Sequence, residues 1–486
     1  MTYNSISFLI FFPIVLFGYY FIPKRHKYIW LLIMSYIFYL SSNVLFLPYI
    51  LLTTFSSYFC AKGMNGKNKK LLLWLGIGIN AGMLCMVKYL NMGVRIANAV
   101  LGKVGITLEI PVPNLIVPLG ISFFVFKAIS YMVDVYKEKI TVENDVVKYS
   151  LYISFFPQLV AGPIARAEDM LKQMVENIKF DYDKVKNGLL LMLWGYFEKI
   201  VIADTLGIMV DTVYENFTDY PGAILVWGTI LYGIQIYCDF GGYSHIAIGA
   251  AQVLGFFTKD NFVQPYFAVS IKDFWRRWHI SLSSWLRDYI YIPLGGNRCS
   301  KLRKYGNLMV TFLVSGVWHG SGVNYIIWGG LHGLYQVGSS LTEKGRKCVQ
   351  RILHINTECF SYRLWQKILT FAMVDFAWLF FRAPGLRSAL DMIKIIVSDF
   401  NLRETLEDIP WNLGLSAVQP GCLLLACVIL FVVDIMHEKG YRLRDMFAKQ
   451  NLVFRWGCYL LVIVYIFIAI IQNYGVSASN FIYTQF

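Results

Sequence analysis

A histidine stands between two apolar stretches in Leu313-Val-Ser-Gly-Val-Trp-His-Gly-Ser-Gly322, and forty residues upstream another closes Asp273-Phe-Trp-Arg-Arg-Trp-His279. An imidazole that titrates near neutral pH is the usual general base for activating a hydroxyl, which makes His319 and His279 candidates for proton transfer. At bilayer depth an ionisable side chain costs at least ~2.5 kcal/mol unless it is paired or faces a cavity, so His319 is a functional-site hypothesis by default. Gly316, Gly320 and Gly322 remove bulk around it and let another backbone or a substrate approach the ring. The bland alternative is a structural histidine satisfied by a nearby carbonyl or hydroxyl. For His279 that alternative is stronger, because an Arg-Arg-Trp-His run at an interface can simply bind headgroups. His332, in Trp328-Gly-Gly-Leu-His-Gly333, lies thirteen residues beyond His319 and could share its neighbourhood. Trp278 and Trp318, each directly before a histidine, are further substrate-binding candidates.

Other chemistries find little support. There is no HExxH or Cys/His cluster for a metal, no G-x-S-x-G elbow, and neither a Walker A nor a GxGxxG loop. Two charges stand inside apolar runs: Asp239 in Ile236-Tyr-Cys-Asp-Phe-Gly-Gly-Tyr243 and Lys127 in Phe123-Phe-Val-Phe-Lys-Ala128. Each needs a partner or a wet cavity, and they could pair with each other or bound a substrate tunnel. Arg166, Arg287 and Arg298 suit a phosphate- or carboxylate-bearing donor, with a snorkelling surface charge as the alternative for each.

The elements that must position these residues belong to a membrane. Of 486 residues 57% are hydrophobic and only 15% charged, against roughly 25% charged in a soluble domain. Apolar runs near the span of a bilayer recur at 6–22, 71–89, 115–135, 189–208 and 460–471. They predict an all-α polytopic protein with about eleven to thirteen membrane segments. No linker or charge block divides the chain, which reads as one domain over 1–486. The first run has no basic region ahead of it and no small-residue cleavage site, so it reads as a retained helix. The +14 charge sits in short segments at 24–27, 62–70, 137–139, 272–304 and 439–449. This is the positive-inside pattern, with the N-terminus outside, and anionic lipids are a sufficient partner without nucleic acid. The nine cysteines form no CxxC pair and read as small buried hydrophobes.

Residues 270–289 differ from their surroundings. At helical period Phe274, Trp278, Leu282, Trp285 and Leu286 share one face while Lys272, Arg276, Ser283 and Arg287 share another. Such a segment is too charged to span and reads as an amphipathic helix in the interface plane, with His279 toward its apolar side. Residues 155–163 and 290–297 are apolar but broken by Pro and Gly, so they read as re-entrant elements around a central space.

At these residues the chain resembles the membrane-bound O-acyltransferase (MBOAT) family, in its bacterial branch that O-acetylates alginate. The resemblance runs nearly end to end. It is carried by Val117-Pro-Leu-Gly-Ile-Ser-Phe-Phe124, Ser154-Phe-Phe-Pro-Gln-Leu-Val-Ala-Gly-Pro163, Tyr237-Cys-Asp-Phe-Gly-Gly-Tyr-Ser244, residues 273–298, Gly316-Val-Trp-His-Gly320, Trp378-Leu-Phe-Phe-Arg-Ala-Pro384 and Phe481-Ile-Tyr-Thr-Gln-Phe486. The block 273–298 is the most specific part. The resemblance implies that His319 is the principal catalytic histidine and His279 the second, within a ring of helices enclosing a funnel or tunnel. It implies acyl transfer, most simply of acetyl from acetyl-CoA or another acyl thioester, with no bound cofactor, to an extracellular polysaccharide in the cytoplasmic membrane of a cell. An extracytoplasmic acyl-relay transferase and an acyl carrier protein are the partners it suggests. Teichoic acid D-alanyl transfer is the nearest competitor; a transporter or channel and a non-catalytic export scaffold are the others. The chain departs from the usual pattern at His245, where members usually have Asp, and at Lys127, where they usually have Gln.

Overall fold

In the computed structural model, which describes residues 1–64, 66–106, 108–113, 115–176, 178–402 and 413–473, every regular element is a helix. The closing run at 481–486 lies outside the described residues. Among the described residues six helices are long and apolar enough to cross a membrane: 44–63, 69–103, 222–253, 360–382, 419–438 and 452–472. Shorter helices carry the other apolar runs, so length and composition single out six helices where counting runs suggested about eleven to thirteen segments. The protein is a multi-pass membrane protein. The 222–253 helix has 78% of its apolar window buried within protein and the 452–472 helix only 11%. The first is therefore packed mostly against protein, while the second presents Leu460, Leu461, Val464 and Phe467 outward as a lipid-facing surface.

Contacts divide the chain into two compact units, one comprising 1–189 and 247–259, the other 190–246 and the chain from 260 on. The first unit contains α1 (Ile6–Phe21), α2 (Lys27–Leu40), α3 (Leu47–Gly63), α4 (Lys69–Lys103), α5 (Ile121–Tyr136), α6 (Val146–Ser154) and α7 (Ala167–Val175). Its aromatic core joins Tyr3, Phe8, Phe11 and Phe38 to Phe156. The Pro/Gly-broken backbone at 155–164 is buried here, and side chains replace the missing helix bonds. The Tyr3 hydroxyl donates to the Phe156 carbonyl at 2.8 Å, and the Phe156 N–H donates to Ser35 Oγ at 3.2 Å. Gly120, at φ 72°, lies so close to this segment that a Cβ there would sit 2.0 Å from the Leu159 oxygen. Lys127 is fully buried on α5; its Nζ donates to the Tyr152 carbonyl at 3.3 Å and lies 5.7 Å from that ring's centroid.

The second unit takes in the end of α8 (Tyr182–Tyr196) from Leu190 on, all of α9 (Asp204–Glu215), and α10 (Gly222–Val253) up to Ile246. It continues with α11 (Ile271–Arg277), α12 (Ile280–Leu286), α13 (Lys301–His319), α14 (Val323–Leu341), α15 (Glu343–Ile352), α16 (Phe360–Arg382) and α17 (Leu386–Ser398), and ends with α18 (Gln419–Glu438), α19 (Leu443–Ala448) and α20 (Leu452–Gln472). Between α8 and α9 the chain winds through a wider π-turn, Phe197–Ala203, that turns Glu198 and Lys199 into the interior. The residues at 290–297 end a π-helical turn, Arg287–Tyr291, and continue as turns, mostly exposed or half-buried rather than an enclosed element. Of the cysteines in apolar runs, Cys60 and Cys238 are buried as expected, whereas Cys85 is exposed on α4.

The α13–α14 hairpin packs closely, and its glycines account for that. A Cβ on Gly316 would fall 2.4 Å from the Tyr325 oxygen, and one on Gly329 would fall 2.3 Å from the Phe312 oxygen. The space freed beside His319 therefore admits the backbone of α14. Gly316→Ala should force the two helices apart one turn before His319, lowering stability by about 1–3 kcal/mol. A lower thermal midpoint for the detergent-purified variant is the expected reading.

Candidate active site

His319 is the last residue of α13 and is 3% exposed. Its Nδ1 lies 2.7 Å from the Ser315 carbonyl oxygen one turn back. A carbonyl can only accept, so Nδ1 carries the proton and the neutral ring presents its basic lone pair at Nε2. Three aromatic rings stand edge-on to the imidazole: Trp318 and Trp328, each at 4.7 Å between centroids, and Phe381 at 5.3 Å. The helix end thus fixes the tautomer and the aromatic rings fix the plane.

His279 is positioned by a break the periodicity did not reveal. The amphipathic pattern at 270–289 predicts one helix; the observed segment is two seven-residue helices, α11 and α12, joined at Trp278 and His279. The predicted faces hold, since Phe274, Trp278, Leu282, Trp285 and Leu286 are buried while Lys272, Arg276 and Arg287 are exposed. Asn261 causes the break. Its carbonyl oxygen accepts from the Ile280 N–H at 2.9 Å, and its Oδ1 accepts from the Ser281 N–H at 3.2 Å, so both amides leave the helical ladder. His279 is left at φ 41°, a left-handed conformation that costs a non-glycine residue roughly 1–2 kcal/mol, and the Asn261 bonds over-determine it.

The same asparagine sets the chemistry of the ring. Because Oδ1 takes the Ser281 N–H, it must be the amide oxygen; His279 Nδ1, 3.2 Å away, therefore donates to it. In both histidines Nδ1 thus carries the proton and Nε2 is the basic nitrogen. His279 lies outside the six spanning helices. Burial, and after it the neighbouring His319, hold its imidazole well below the ordinary range, so the ring is neutral near pH 7. Its ring lies 6.2 Å from that of Trp318 and 4.6 Å from Phe240. Asn261→Ala should therefore release the α11–α12 break and lower turnover more than it raises KM, read from initial rates on purified protein.

His332 on α14 joins the same cluster. Its ring is 5.0 Å from Trp328 and 5.0 Å from Trp275, whose Nε1–H donates to His332 Nδ1 at 3.2 Å. Trp278 packs on Trp378 at 5.1 Å and Trp378 on Trp328 at 5.9 Å. The structure thus brings together His319, His279, His332, Trp278 and Trp318. The other candidates have different partners. Asp239 is 2% exposed and ion-paired to Lys199 Nζ at 2.5 Å, with Asp204 on the same ammonium at 2.6 Å. Arg166 directly precedes α7 in the first unit, within electrostatic reach of Tyr152. Arg287 and Arg298 are exposed, the former bonded to Asp288 at 2.8 Å. At the departure noted for His245, the imidazole Nδ1 lies 2.6 Å from buried Glu198.

Sequence reasoning missed Asn261, Trp328 and Asp375. Asp375 on α16 is 8% exposed, and its Oδ1 has no hydrogen-bond partner among the described residues. The criterion that flagged Asp239 and Lys127, a charge inside an apolar run, would have found it. Asn261 carried no such signal. Among the described residues no group of three His, Cys, Asp or Glu could hold a metal ion.

A helical multi-pass membrane protein with a buried cluster of tautomer-fixed imidazoles is the class that fold and site define. The chain belongs to the membrane-bound O-acyltransferase (MBOAT) family, whose model matches residues 26–381, and it is an O-acyltransferase. It is 38% identical to the probable alginate O-acetylase AlgI of Pseudomonas syringae pv. tomato, over 83% of this chain and 77% of that protein. It is 31% identical to the peptidoglycan O-acetyltransferase of Helicobacter pylori, over 100% and 98%. Similarity to the teichoic acid D-alanyltransferase of Bacillus subtilis is more restricted, 29% identity over 49% of this chain and 62% of that one.

Proposed function

We propose that this protein moves an acetyl group from a cytoplasmic thioester, acetyl-CoA, across the cell membrane to hydroxyls of an extracellular polysaccharide, directly or through an extracytoplasmic relay transferase. The whole chain acts as one domain, with its N-terminus outside. His319 Nε2 takes the proton of the attacking hydroxyl, and His279 orients or stabilises the reacting group. The observation that carries this reading is the bond from His319 Nδ1 to the Ser315 carbonyl, which leaves Nε2 as a base inside an aromatic enclosure. The alginate and peptidoglycan relatives support acetyl and a polysaccharide acceptor. Exposed Arg287 and Arg298, beside Lys301 and Arg303, suit the phosphates of a nucleotide-bearing donor. The test compares a deletion strain with a complemented one by mass spectrometry of surface polymers. Ester-linked acetate that disappears on deletion and returns on complementation is expected. Loss of D-alanine with acetate unchanged would favour a carrier-protein donor and teichoic acid, and no change in either ester would favour a channel or scaffold.

A further inference from the structure

Among the described residues, the buried N–H donors of the histidine cluster that lack an acceptor include Trp328 Nε1 and His332 Nε2. Trp328 is 1% exposed and His332 0%, and neither Trp328 Nε1 nor His332 Nε2 has a hydrogen-bond partner among the described residues. For His332 the proton's place follows from its neighbour. The Trp275 indole can only donate, so the nitrogen it meets, Nδ1, must be the acceptor, and the neutral ring carries its hydrogen at Nε2. This is the opposite tautomer to His319 and His279. Leaving a buried donor unsatisfied costs roughly 1–3 kcal/mol, and two such donors share one cluster here. Trp328 touches both imidazoles, at 4.7 Å from the His319 ring and 5.0 Å from the His332 ring.

We propose that Trp328 Nε1–H and His332 Nε2–H form the oxyanion hole for the thioester carbonyl, next to the base at His319. The inference rests on the acyl-transfer reading above. In the step, the acceptor hydroxyl gives its proton to His319 Nε2 as its oxygen bonds to the carbonyl carbon. The carbonyl electron pair moves onto oxygen, where the two N–H groups hold it. Collapse restores the carbonyl and breaks the carbon–sulfur bond, and the leaving thiolate takes the proton from His319. Ester and thiol are the products. An ammonium-bearing ligand would gain nothing from two N–H donors, whereas an oxygen gaining negative charge gains most in a dry site.

A pair of substitutions at one position separates this role from a structural one. His332→Gln keeps an N–H near the Nε2 position and loses the acceptor for Trp275. His332→Asn keeps an acceptor near the Nδ1 position and loses the outward N–H. With purified protein, acetyl-CoA as donor and thiol release as readout, H332N should lose about 10²- to 10³-fold in kcat with KM little changed, and H332Q should retain most of the rate. Trp328→Phe, which leaves the Trp275–His332 bond in place, should likewise lower kcat. Thermal midpoints report folding independently of rate. The proposal is overturned if H332N turns over like wild type, if H332Q falls as far as H332N, or if Trp328→Phe keeps the full rate. A His319→Ala control that remains active would instead overturn the acyl-transfer reading itself.

Discussion

Replacing His319 by alanine should cut ester-linked acyl groups on the cell-surface polymer by about 10²- to 10⁴-fold at matched membrane levels, the range for loss of a positioned general base. The size follows from the local geometry. The Ser315 carbonyl fixes the Nδ1 proton and leaves Nε2 to do the work. His332 cannot stand in as the base, because it presents an N–H where a lone pair would be needed. Removing a buried ring packed against Trp318, Trp328 and Phe381 also leaves a cavity, so the comparison is made at matched membrane levels. His319→Gln, which places an amide near Nε2, should be no better than alanine, because an amide nitrogen is not a base.

Lys199→Met should be the most damaging single change to the fold. Its ammonium, 1% exposed, is shared by Asp204 at 2.6 Å and Asp239 at 2.5 Å, and the Tyr243 ring lies 5.5 Å away. Helices cross closely at this point, since a Cβ on Gly242 would sit 2.7 Å from the Gly195 oxygen and 3.0 Å from the Lys199 nitrogen. Removing the lysine leaves two buried carboxylates without their shared cation, a loss of about 3–5 kcal/mol. The expected result is a sharply reduced membrane level and an aggregated elution profile in mild detergent. Adding Asp204→Asn and Asp239→Asn should recover much of the loss, because neutral replacements for a whole buried ion group are often tolerated. A Lys199→Met protein with an unchanged thermal midpoint would show that the triad contributes nothing net.

Apolar run length and low charge announced a helical membrane protein, and the period of 270–289 gave the correct buried face. What it could not show was the interruption at His279, because the cause lies eighteen residues earlier in Asn261, whose side chain captures amides the helix would otherwise use. His319 was legible as an ionisable ring among apolar residues; its tautomer needed the helix that places Ser315 beneath it. The glycines around it read equally as room for a substrate or for a backbone; the structure fills the space at Gly316 with the α14 backbone and the space at Gly320 with the Tyr325 ring. Asp239 looked like a site residue because its partner Lys199, forty residues away, was hidden inside another apolar run, 189–208. Long-range pairing of this kind leaves no mark on local periodicity.

The central claim, that His319 drives transfer out of a thioester, meets its most direct test in thiol release by purified protein in lipid nanodiscs supplied with acetyl-CoA and a soluble polysaccharide acceptor. Wild-type protein should release free CoA in step with ester formed, and His319→Ala should fall to the rate of empty nanodiscs. Equal release by the two proteins would contradict it.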